Sequence, residues 1–289
     1  MIMEREQNDV NVIIPTFNGG DYLPSLLNSL VRQSTDEFSV IISDNGSSDD
    51  TIDVANQYHE VLDLEVIDSH HKKGKAFALN QAIRQSTAAR FLFIDQDDTV
   101  NTDYVEAMAC KLIEYPYVAA MMDVGILNDC LRTYPRNIPR DQKFGQFAIN
   151  IASGGTLGVR REVFDDIGLF DESFNFSTND VEFCCRAYYA GYKLELVDEA
   201  VLNYRLRQTA RDNFIQGLYY GRGNFAIAQR YPEIRGDQRN GVGRLVIDAG
   251  RSQAISSDTS CCIAIFRRWG ERRMCPVCPG RYGVRSTAY

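Results

Sequence analysis

The first half of the chain alternates short apolar runs with helical stripes, and this alternation constrains the fold more than any other feature. The apolar runs lie at 10–15, 38–43, 64–67 and 90–95. Helices are predicted at about 23–31, 51–58, 74–84 and 101–115. Because strands that are apolar on both faces need cover on both sides, the pattern predicts an α/β fold. Its central sheet is Rossmann-like and mostly parallel, with helices on both faces.

Polar turns follow three of these predicted strands. The turns are Thr16-Phe-Asn18-Gly, Asp44-Asn-Gly-Ser and Asp95-Gln-Asp97-Asp98. Ligands of open α/β sheets bind at the carboxyl ends of the strands, so these turns mark the predicted site. The sequence contains neither the Gly-x-Gly-x-x-Gly motif of dinucleotide folds nor a phosphate-binding Walker loop. We therefore expect a nucleotide-type site that lacks both common nucleotide motifs.

The third turn carries three carboxylates within four residues: Asp95, Asp97 and Asp98. Carboxylates this close repel one another unless a cation neutralises them. Their hard oxygen ligands suit Mg²⁺ or Mn²⁺, usually shared with the phosphates of a substrate. The alternative is a solvated turn in which Asp98 caps a helix near Asn101.

Charge divides the chain into an acidic body and a basic tail. Residues 1–234 carry 35 acidic and 21 basic side chains, and residues 235–289 carry 4 acidic residues and 10 arginines. The net charge of −8 argues against a nucleic-acid partner. A polar N-terminus and the absence of an apolar run of membrane-spanning length favour a cytoplasmic protein.

Four segments in order resemble the inverting glycosyltransferases of family 2, which have the GT-A fold. They are Val-Ile-Ile-Pro-Thr-Phe-Asn, Asp44-Asn-Gly-Ser-Ser-Asp49, Gly74-x₅-Asn80 and Asp95-x-Asp97. The likeness covers roughly residues 9–232. It implies a single catalytic domain over 1–234, followed by a C-terminal extension over 235–289. Within the domain, about 9–125 would bind the nucleotide and about 126–234 the acceptor.

The resemblance implies roles for the residues of these turns. The metal ligand would be Asp97, holding Mn²⁺ or Mg²⁺ against the donor diphosphate. The donor-binding residues would be Thr16, Asn18, Asp44, Gly74, Lys75, Asn80 and Asp95. Two alternatives stay open at this point: Asp44-Asn-Gly-Ser is also an ordinary turn, and Lys72, Lys73 and Lys75 are also compatible with a solvated basic edge.

A predicted helix over about 179–190 resembles the segment that carries the family's catalytic base. Asp180 occupies the position of the base, and Asn179 replaces the acid that usually precedes it. Glu182 and Arg186 are spaced to pair along one helix face. Without the resemblance, Asp180 is only an acid that favours the helix dipole. Supporting or acceptor-side residues would be Gly154, Gly155, Asn179, Glu182 and Arg186.

The implied activity is transfer of a single sugar from a nucleotide-sugar donor to an acceptor hydroxyl with inversion. Asp95-Gln-Asp97 and Ala152-Ser-Gly154 resemble the rhamnosyltransferase-like branch, so the donor is dTDP-rhamnose or a UDP-hexose. The acceptor would be a glycan or a lipid-linked molecule in cell-surface polysaccharide or glycolipid synthesis. A sugar-nucleotide nucleotidyltransferase and a non-catalytic nucleotide-sugar binding protein remain as alternatives.

The second half departs from the family pattern in several places. Many relatives have a histidine metal ligand in this half, but all three histidines of this chain precede residue 72. Asn203 stands where that histidine would be. The polar segment 129–147 reads either as a basic acceptor loop or as a solvated loop. A helix over 214–231 is expected to use its aromatic residues for packing; they are Tyr219, Tyr220, Phe225 and Tyr231.

The tail, residues 235–289, carries four of the eight cysteines and ten arginines. The cysteines are Cys261, Cys262, Cys275 and Cys278, whose spacing only partly fits a zinc site. Contact of the arginine-rich tail with anionic lipid is an equal alternative and would make the protein peripheral to the inner face of a membrane.

Overall fold

The structure is a computed structural model that describes residues 9–128, 149–174, 177–234, 246–248 and 251–253. The chain separates into two compact units, Met1–Asp237 and Gln238–Tyr289. The second unit has one described hairpin, formed by the antiparallel strands β9 (Val246–Asp248) and β10 (Arg251–Gln253). The cysteines of the predicted zinc site and the predicted loop at 129–147 lie outside the described residues.

The first unit contains eight strands and seven helices among its described residues. The strands are β1 (Val10–Thr16), β2 (Ser39–Asp44), β3 (Leu64–Asp68), β4 (Arg90–Phe93), β5 (Thr99–Val100), β6 (Tyr117–Asp123), β7 (Leu157–Arg160) and β8 (Glu195–Asn203). The helices are α1 (Leu23–Val31), α2 (Thr51–Asn56), α3 (Lys75–Gln85), α4 (Tyr104–Glu114), α5 (Arg161–Ile167), α6 (Asn179–Tyr189) and α7 (Ala210–Arg230).

All eight strands form one sheet in the order β3-β2-β1-β4-β7-β6-β8-β5. The first four of these are parallel, β7 is antiparallel to both of its neighbours, and β5 is antiparallel to β8. The register of β1 and β2 places Thr16 beside Asp44 at their carboxyl ends. The predicted mostly parallel sheet is confirmed, and its carboxyl edge gathers the polar turns as expected.

Helices cover both faces of the sheet, which is also as predicted. One core contains α3, α5 and α6 and includes a cluster of Phe93, Phe164, Phe170 and Phe183, in which Phe93 meets Phe164 and Phe170 edge to face. The other core contains the leucines of α1 together with Tyr104 and Met108 of α4. Burial of apolar area on both faces supplies most of the driving force for this layered arrangement.

The packing predicted for the aromatic residues of α7 is largely wrong. Tyr219, Tyr220 and Phe225 are 37%, 45% and 48% exposed. Only Tyr231, just after the helix, packs against the core as expected, where it stacks on Tyr189. None of the helices in the described part of the chain has the length and apolar character that crossing a bilayer requires.

Candidate active site

The carboxylate turn lies between β4 and β5, and three basic residues contact it. Lys75, the first residue of α3, pairs with Asp95. Arg207 Nη1 lies 2.8 Å from Asp97 Oδ2. The backbone N–H of Arg205 donates to Asp98 Oδ1 at 2.8 Å. The turn therefore has ion pairs at Asp95 and Asp97 and a backbone hydrogen bond at Asp98, supplied by segments far apart in the sequence.

Asp98 is not the solvated helix cap of the alternative interpretation. It is 1% exposed, and α4 begins only at Tyr104, after Asp103. Burial, reinforced by the charges of Asp95 and Asp97, raises the pKa of Asp98 to about 8. The same causes, burial first and then Asp95, raise the pKa of Asp97. A carboxyl group held here without enough positive charge near it tends to keep its proton.

The donor set fits a divalent cation. Within the described part of the chain, Asp98 Oδ2 is buried without a hydrogen-bond partner, and Arg207 engages one oxygen of Asp97. Asp95 likewise pairs with Lys75 through one oxygen. Oxygen atoms of this kind are the ligands that Mg²⁺ and Mn²⁺ take in proteins, so Asp95, Asp97 and Asp98 are the residues that could hold such an ion.

Asp180 lies in the first turn of α6, and the backbone fixes its carboxylate. Its Oδ2 accepts the N–H of Gly154 at 2.8 Å, and its Oδ1 accepts the N–H of Val181 at 2.8 Å. Burial raises the pKa of Asp180, although the positive charge of Lys75 opposes this shift. The pKa of Lys75 is itself raised, because attraction to Asp95 outweighs the opposite effect of burial.

The turn Gly154–Thr156 brings Asp180 and the carboxylate turn together. A methyl group on Gly154 would lie 3.1 Å from Lys75 Nζ and 3.4 Å from Asp180 Oδ2. A methyl group on Gly155 would lie 3.4 Å from Asp98 Oδ2. Side chains at both positions would crowd the charged groups, so the two glycines let the groups approach one another closely.

A second part of the site lies at the ends of β1 and β2. Asp44 is 4% exposed, and its Oδ2 accepts the N–H groups of Gly46 and Ser47 at 3.0 Å. Asn18 joins the two turns, since its N–H donates to Ser47 Oγ and its Oδ1 accepts the N–H of Ser48, both at 2.8 Å. A cavity of about 510 Å³ adjoins Asp44, Ser47, Ile52, Val66, Asp68 and His70. Its volume is in the range of small-ligand pockets.

Gly74 and Thr16 each form a hydrogen bond that fixes the local backbone of these turns. Gly74 precedes α3 with φ of 135°, a conformation that L side chains rarely adopt, and its N–H donates to Asn45 Oδ1 at 2.8 Å. Thr16 is 1% exposed, and its hydroxyl donates to the carbonyl of Ile14 at 3.2 Å. Thr16 thus uses its hydroxyl within the strand.

Two predicted site residues, Asn80 and Arg186, use their side chains for structural contacts, whereas a third, Asn179, does not. Both donors of Asn80 Nδ2 are used, on the carbonyl of Phe170 and on Glu172. Arg186 pairs with Glu182 as predicted and also donates to the carbonyls of Ile167, Gly168 and Leu169. Asn179 is 5% exposed, and its Nδ2 has no partner within the described structure.

The residues at the end of β8 and after it complete the site, and sequence reasoning assigned neither Arg207 nor Gln216 to it. Asn203 donates to Thr99 Oγ1 at 3.0 Å, and the residue that reaches Asp97 is Arg207. Gln216 of α7 lies 3.2 Å from the Tyr220 hydroxyl and 3.5 Å from the Tyr204 hydroxyl. Burial of its hydroxyl, and next the charge of Asp180, raise the pKa of Tyr220. Only the spacing of Arg205 and Arg207 after an apolar strand hinted at this part of the site.

A comparison with protein families identifies the family of this chain. The model of the family described as Glycosyl transferase family 2 matches residues 11–168. The chain belongs to glycosyl transferase family 2. The matched segment contains the three polar turns and the two glycines at 154 and 155, whereas Asp180 lies beyond its end. The resemblance read from the motifs is thereby confirmed.

Curated relatives of this family 2 chain are also glycosyltransferases. Glycosyltransferase AglE of Haloferax volcanii is 27% identical over 206 residues, which are 66% of this chain and 65% of AglE. Poly(ribitol-phosphate) β-N-acetylglucosaminyltransferase TarS of Staphylococcus aureus is 32% identical over 108 residues, which are 36% of this chain and 19% of TarS. The chain thus spans less than two thirds of the length of either relative.

Solved structures of family members share the fold. A crystal structure of S. aureus TarS 1–349 has a TM-score of 0.55 at 23% identity, covering 76% of this chain and 65% of that one. The mannosyltransferase PcManGT from Pyrobaculum calidifontis, in complex with GDP-Man and Mn²⁺, has a TM-score of 0.58 at 20% identity. The similarity covers 78% of this chain and 65% of the PcManGT chain. The predicted GT-A fold is confirmed by these similarities.

Proposed function

We propose that this family 2 chain transfers a single sugar from a nucleotide-sugar donor to an acceptor hydroxyl with inversion. The observation that carries the proposal is the position of Asp180, whose carboxylate lies against Gly154, as does the ammonium group of Lys75, which pairs with the carboxylate turn. A partly buried base next to a cluster suited to a diphosphate and a cation is what this reaction needs. A nucleotidyltransferase has no need of such a base.

Asp180 is the proposed general base. An alcohol is a poor nucleophile, and a carboxylate within hydrogen-bond reach can take its proton in the transition state. The N–H groups of Gly154 and Val181 hold the two oxygens of Asp180 in a fixed orientation. Attack from the side opposite the departing diphosphate inverts the anomeric carbon. No covalent intermediate is needed, so no nucleophilic side chain is assigned.

The departing diphosphate needs positive charge. A divalent cation held by Asp97, with Asp95 and Asp98 beside it, would supply electrophilic stabilisation of the leaving group. Lys75 and Arg207 are the side chains that would bind the diphosphate directly, since both now neutralise carboxylates of the turn. The proposed cation is Mn²⁺ or Mg²⁺, both of which take carboxylate oxygens as ligands.

The nucleotide is proposed to lie along the ends of β1 and β2, with its base at Asp44 and its ribose near Thr16 and Asp95. We propose dTDP-rhamnose or a UDP-hexose as the donor. Solved structures that are similar to this chain support a nucleotide sugar in general, because TarS 1–349 forms complexes with UDP and with UDP-GlcNAc, and PcManGT with GDP-Man. The acceptor is proposed to be a glycan or lipid-linked molecule used in cell-surface polysaccharide or glycolipid synthesis, in the cytoplasm or at the inner face of its membrane.

Nucleotide sugars are expected to raise the melting temperature of the protein in the presence of Mn²⁺. At a donor concentration of 100 times its Kd, the stabilisation is about 2.7 kcal/mol. Thermal shift is measured with dTDP-rhamnose, UDP-glucose, UDP-GlcNAc and GDP-mannose, with Mn²⁺ and with EDTA. Asp97→Ala is expected to remove the part of the shift that Mn²⁺ adds, and Asp165→Ala, which changes an exposed carboxylate on α5, is expected to keep it. A protein that none of these donors stabilises would not be a nucleotide-sugar enzyme.

The rate of transfer is expected to fall on the acid side at a pH above 3.8. Asp180 must be ionised to act as a base, and burial raises its pKa above the ordinary value. Because Lys75 favours the ionised form, Lys75→Met is expected to move this acid limb of the profile of kcat/KM to higher pH. A limb that stays in place in the variant, or moves to lower pH, would contradict the assignment of Asp180.

A further inference from the structure

Among the residues that the structure describes, helix α7 contacts the body along one side. A methyl group on Gly223 would lie 2.2 Å from Thr178 Oγ1, so the helix backbone closely approaches the residue preceding α6. Ser177 Oγ donates to the carbonyl of Tyr219 at 2.8 Å, and Ile227 is fully buried. These contacts fix which side of α7 faces the body.

The other side of α7 exposes large apolar side chains. Phe214, Ile215, Leu218 and Phe225 are 56%, 37%, 46% and 48% exposed. At about 100° per residue these four positions fall within roughly 100° of arc, so they share one face. Arg211 and Arg222 are exposed on the same face. We call these six residues the outer face of α7.

Apolar side chains interleaved with arginines form the pattern of a helix that lies in a membrane interface. Phenylalanine and leucine enter the boundary between headgroups and acyl chains, while guanidinium groups reach anionic headgroups. The stems of the arginines add apolar area and leave their charges in water. We propose that the outer face of α7 docks on an anionic lipid bilayer.

A second copy of the chain fits this face less well. Stable protein interfaces bury about 20–30 residues on each partner, whereas the outer face offers six. Like-charged arginines would also meet across a symmetric contact, unless another group lay between them. An anionic bilayer needs no matching surface of comparable area and pairs favourably with both arginines.

The docked orientation has a consequence for the site, and this consequence rests on the proposed function. Gln216 and Tyr220 lie on the body side of α7, and their side chains reach Tyr204 next to the carboxylate turn. A helix that lies on lipid with its outer face would hold the carboxylate turn on its opposite side, about one helix diameter (10 Å) from the membrane surface. A lipid-linked acceptor is then the expected substrate class, because its head group can reach the site while its lipid chain stays in the bilayer.

The test is co-sedimentation of the full chain with vesicles. Vesicles of phosphatidylcholine with about one third phosphatidylglycerol are compared with vesicles of phosphatidylcholine alone. The wild type is expected to bind the anionic vesicles, and Phe214→Glu/Leu218→Glu is expected to lower the partition coefficient by about tenfold or more, because two apolar anchors become charged. The matched control is Ile113→Glu on α4, at a side chain that is 67% exposed, and it is expected to bind like the wild type.

Each alternative result has a definite meaning. Equal vesicle binding by the double variant and the wild type, with both folded by thermal unfolding, would overturn the proposal and point to the basic tail. Failure of the wild type to bind anionic vesicles would also overturn it. So would light scattering that finds a wild-type dimer and a monomeric double variant, since a second copy would then be the occupant. Vesicle binding without any thermal shift by donors would remove the proposed transferase function and leave the docking surface standing.

Discussion

Replacement of Asp180 by asparagine is expected to lower the rate of sugar transfer by about a thousandfold, within the range that general base catalysis contributes. Asparagine has the same shape and still offers an oxygen to the N–H of Gly154, but it cannot take a proton. Donor affinity, measured by isothermal titration, is expected to stay within about a factor of two. Loss of rate without loss of binding is the signature of an interaction made in the transition state.

The matched control for this variant is Asp165→Asn, an exposed carboxylate on α5, which is expected to transfer sugar at the wild-type rate. Transfer by Asp180→Asn at more than about a tenth of the wild-type rate would assign the base to another group. A wild-type protein that binds donors and transfers nothing to any tested acceptor class would favour the non-catalytic alternative.

Replacement of Arg186 by methionine is expected to lower the free energy of unfolding by about 3 kcal/mol, the lower end of the cost of breaking a buried ion pair. Glu182 is 1% exposed and would keep its charge in the interior with its main partner removed. The carbonyls of Ile167, Gly168 and Leu169 would also lose the guanidinium that joins them. For a domain of this size, the melting temperature is expected to fall by roughly 6–12 °C.

The control for this prediction is Arg84→Met. Arg84 is half-exposed and lies 3.9 Å from Glu172, and a surface pair of this kind contributes at most about 1 kcal/mol. The Arg186 variant, measured at a temperature where it is folded, is expected to bind donors like the wild type. A large loss of donor affinity in the folded Arg186 variant would instead place this residue in the binding site.

The positions of the strands and of the polar turns could be predicted from the sequence. Apolar runs bounded by Asp, Asn and Gly have a local cause, because burial on both faces and turn chemistry act within a few residues. The parallel order of the strands then places the turns at one edge as expected, where Thr16 lies beside Asp44. The roles assigned to these residues remain predictions.

The partners of the carboxylates could not be predicted from the sequence. Arg207 reaches Asp97 across 110 positions, and its own neighbourhood carries no motif. Asn80 shows the opposite problem, since a motif residue proves to bind Phe170 and Glu172 across about 90 positions. A sequence pattern reports local spacing, whereas these contacts depend on where distant loops end on the sheet.

Helix α7 shows how amphipathic patterning leaves the choice of face open. Its aromatic residues predicted a packed helix, because apolar area is usually buried in the core. The structure instead turns Gly223 and Ile227 towards the body and leaves Phe214 and Phe225 exposed. A small residue that permits close approach, rather than the largest apolar ones, sets the orientation of this helix.

The sequence by itself determined the family, the layered α/β fold and the edge of the sheet where the polar turns collect, since each follows from local periodicity and short motifs. The tertiary structure alone decided which charges meet: Lys75 with Asp95, Arg207 with Asp97, and Asp180 with the N–H of Gly154. These pairings require burial and long-range chain crossing, which change pKa values and pair charges only once the sheet has formed.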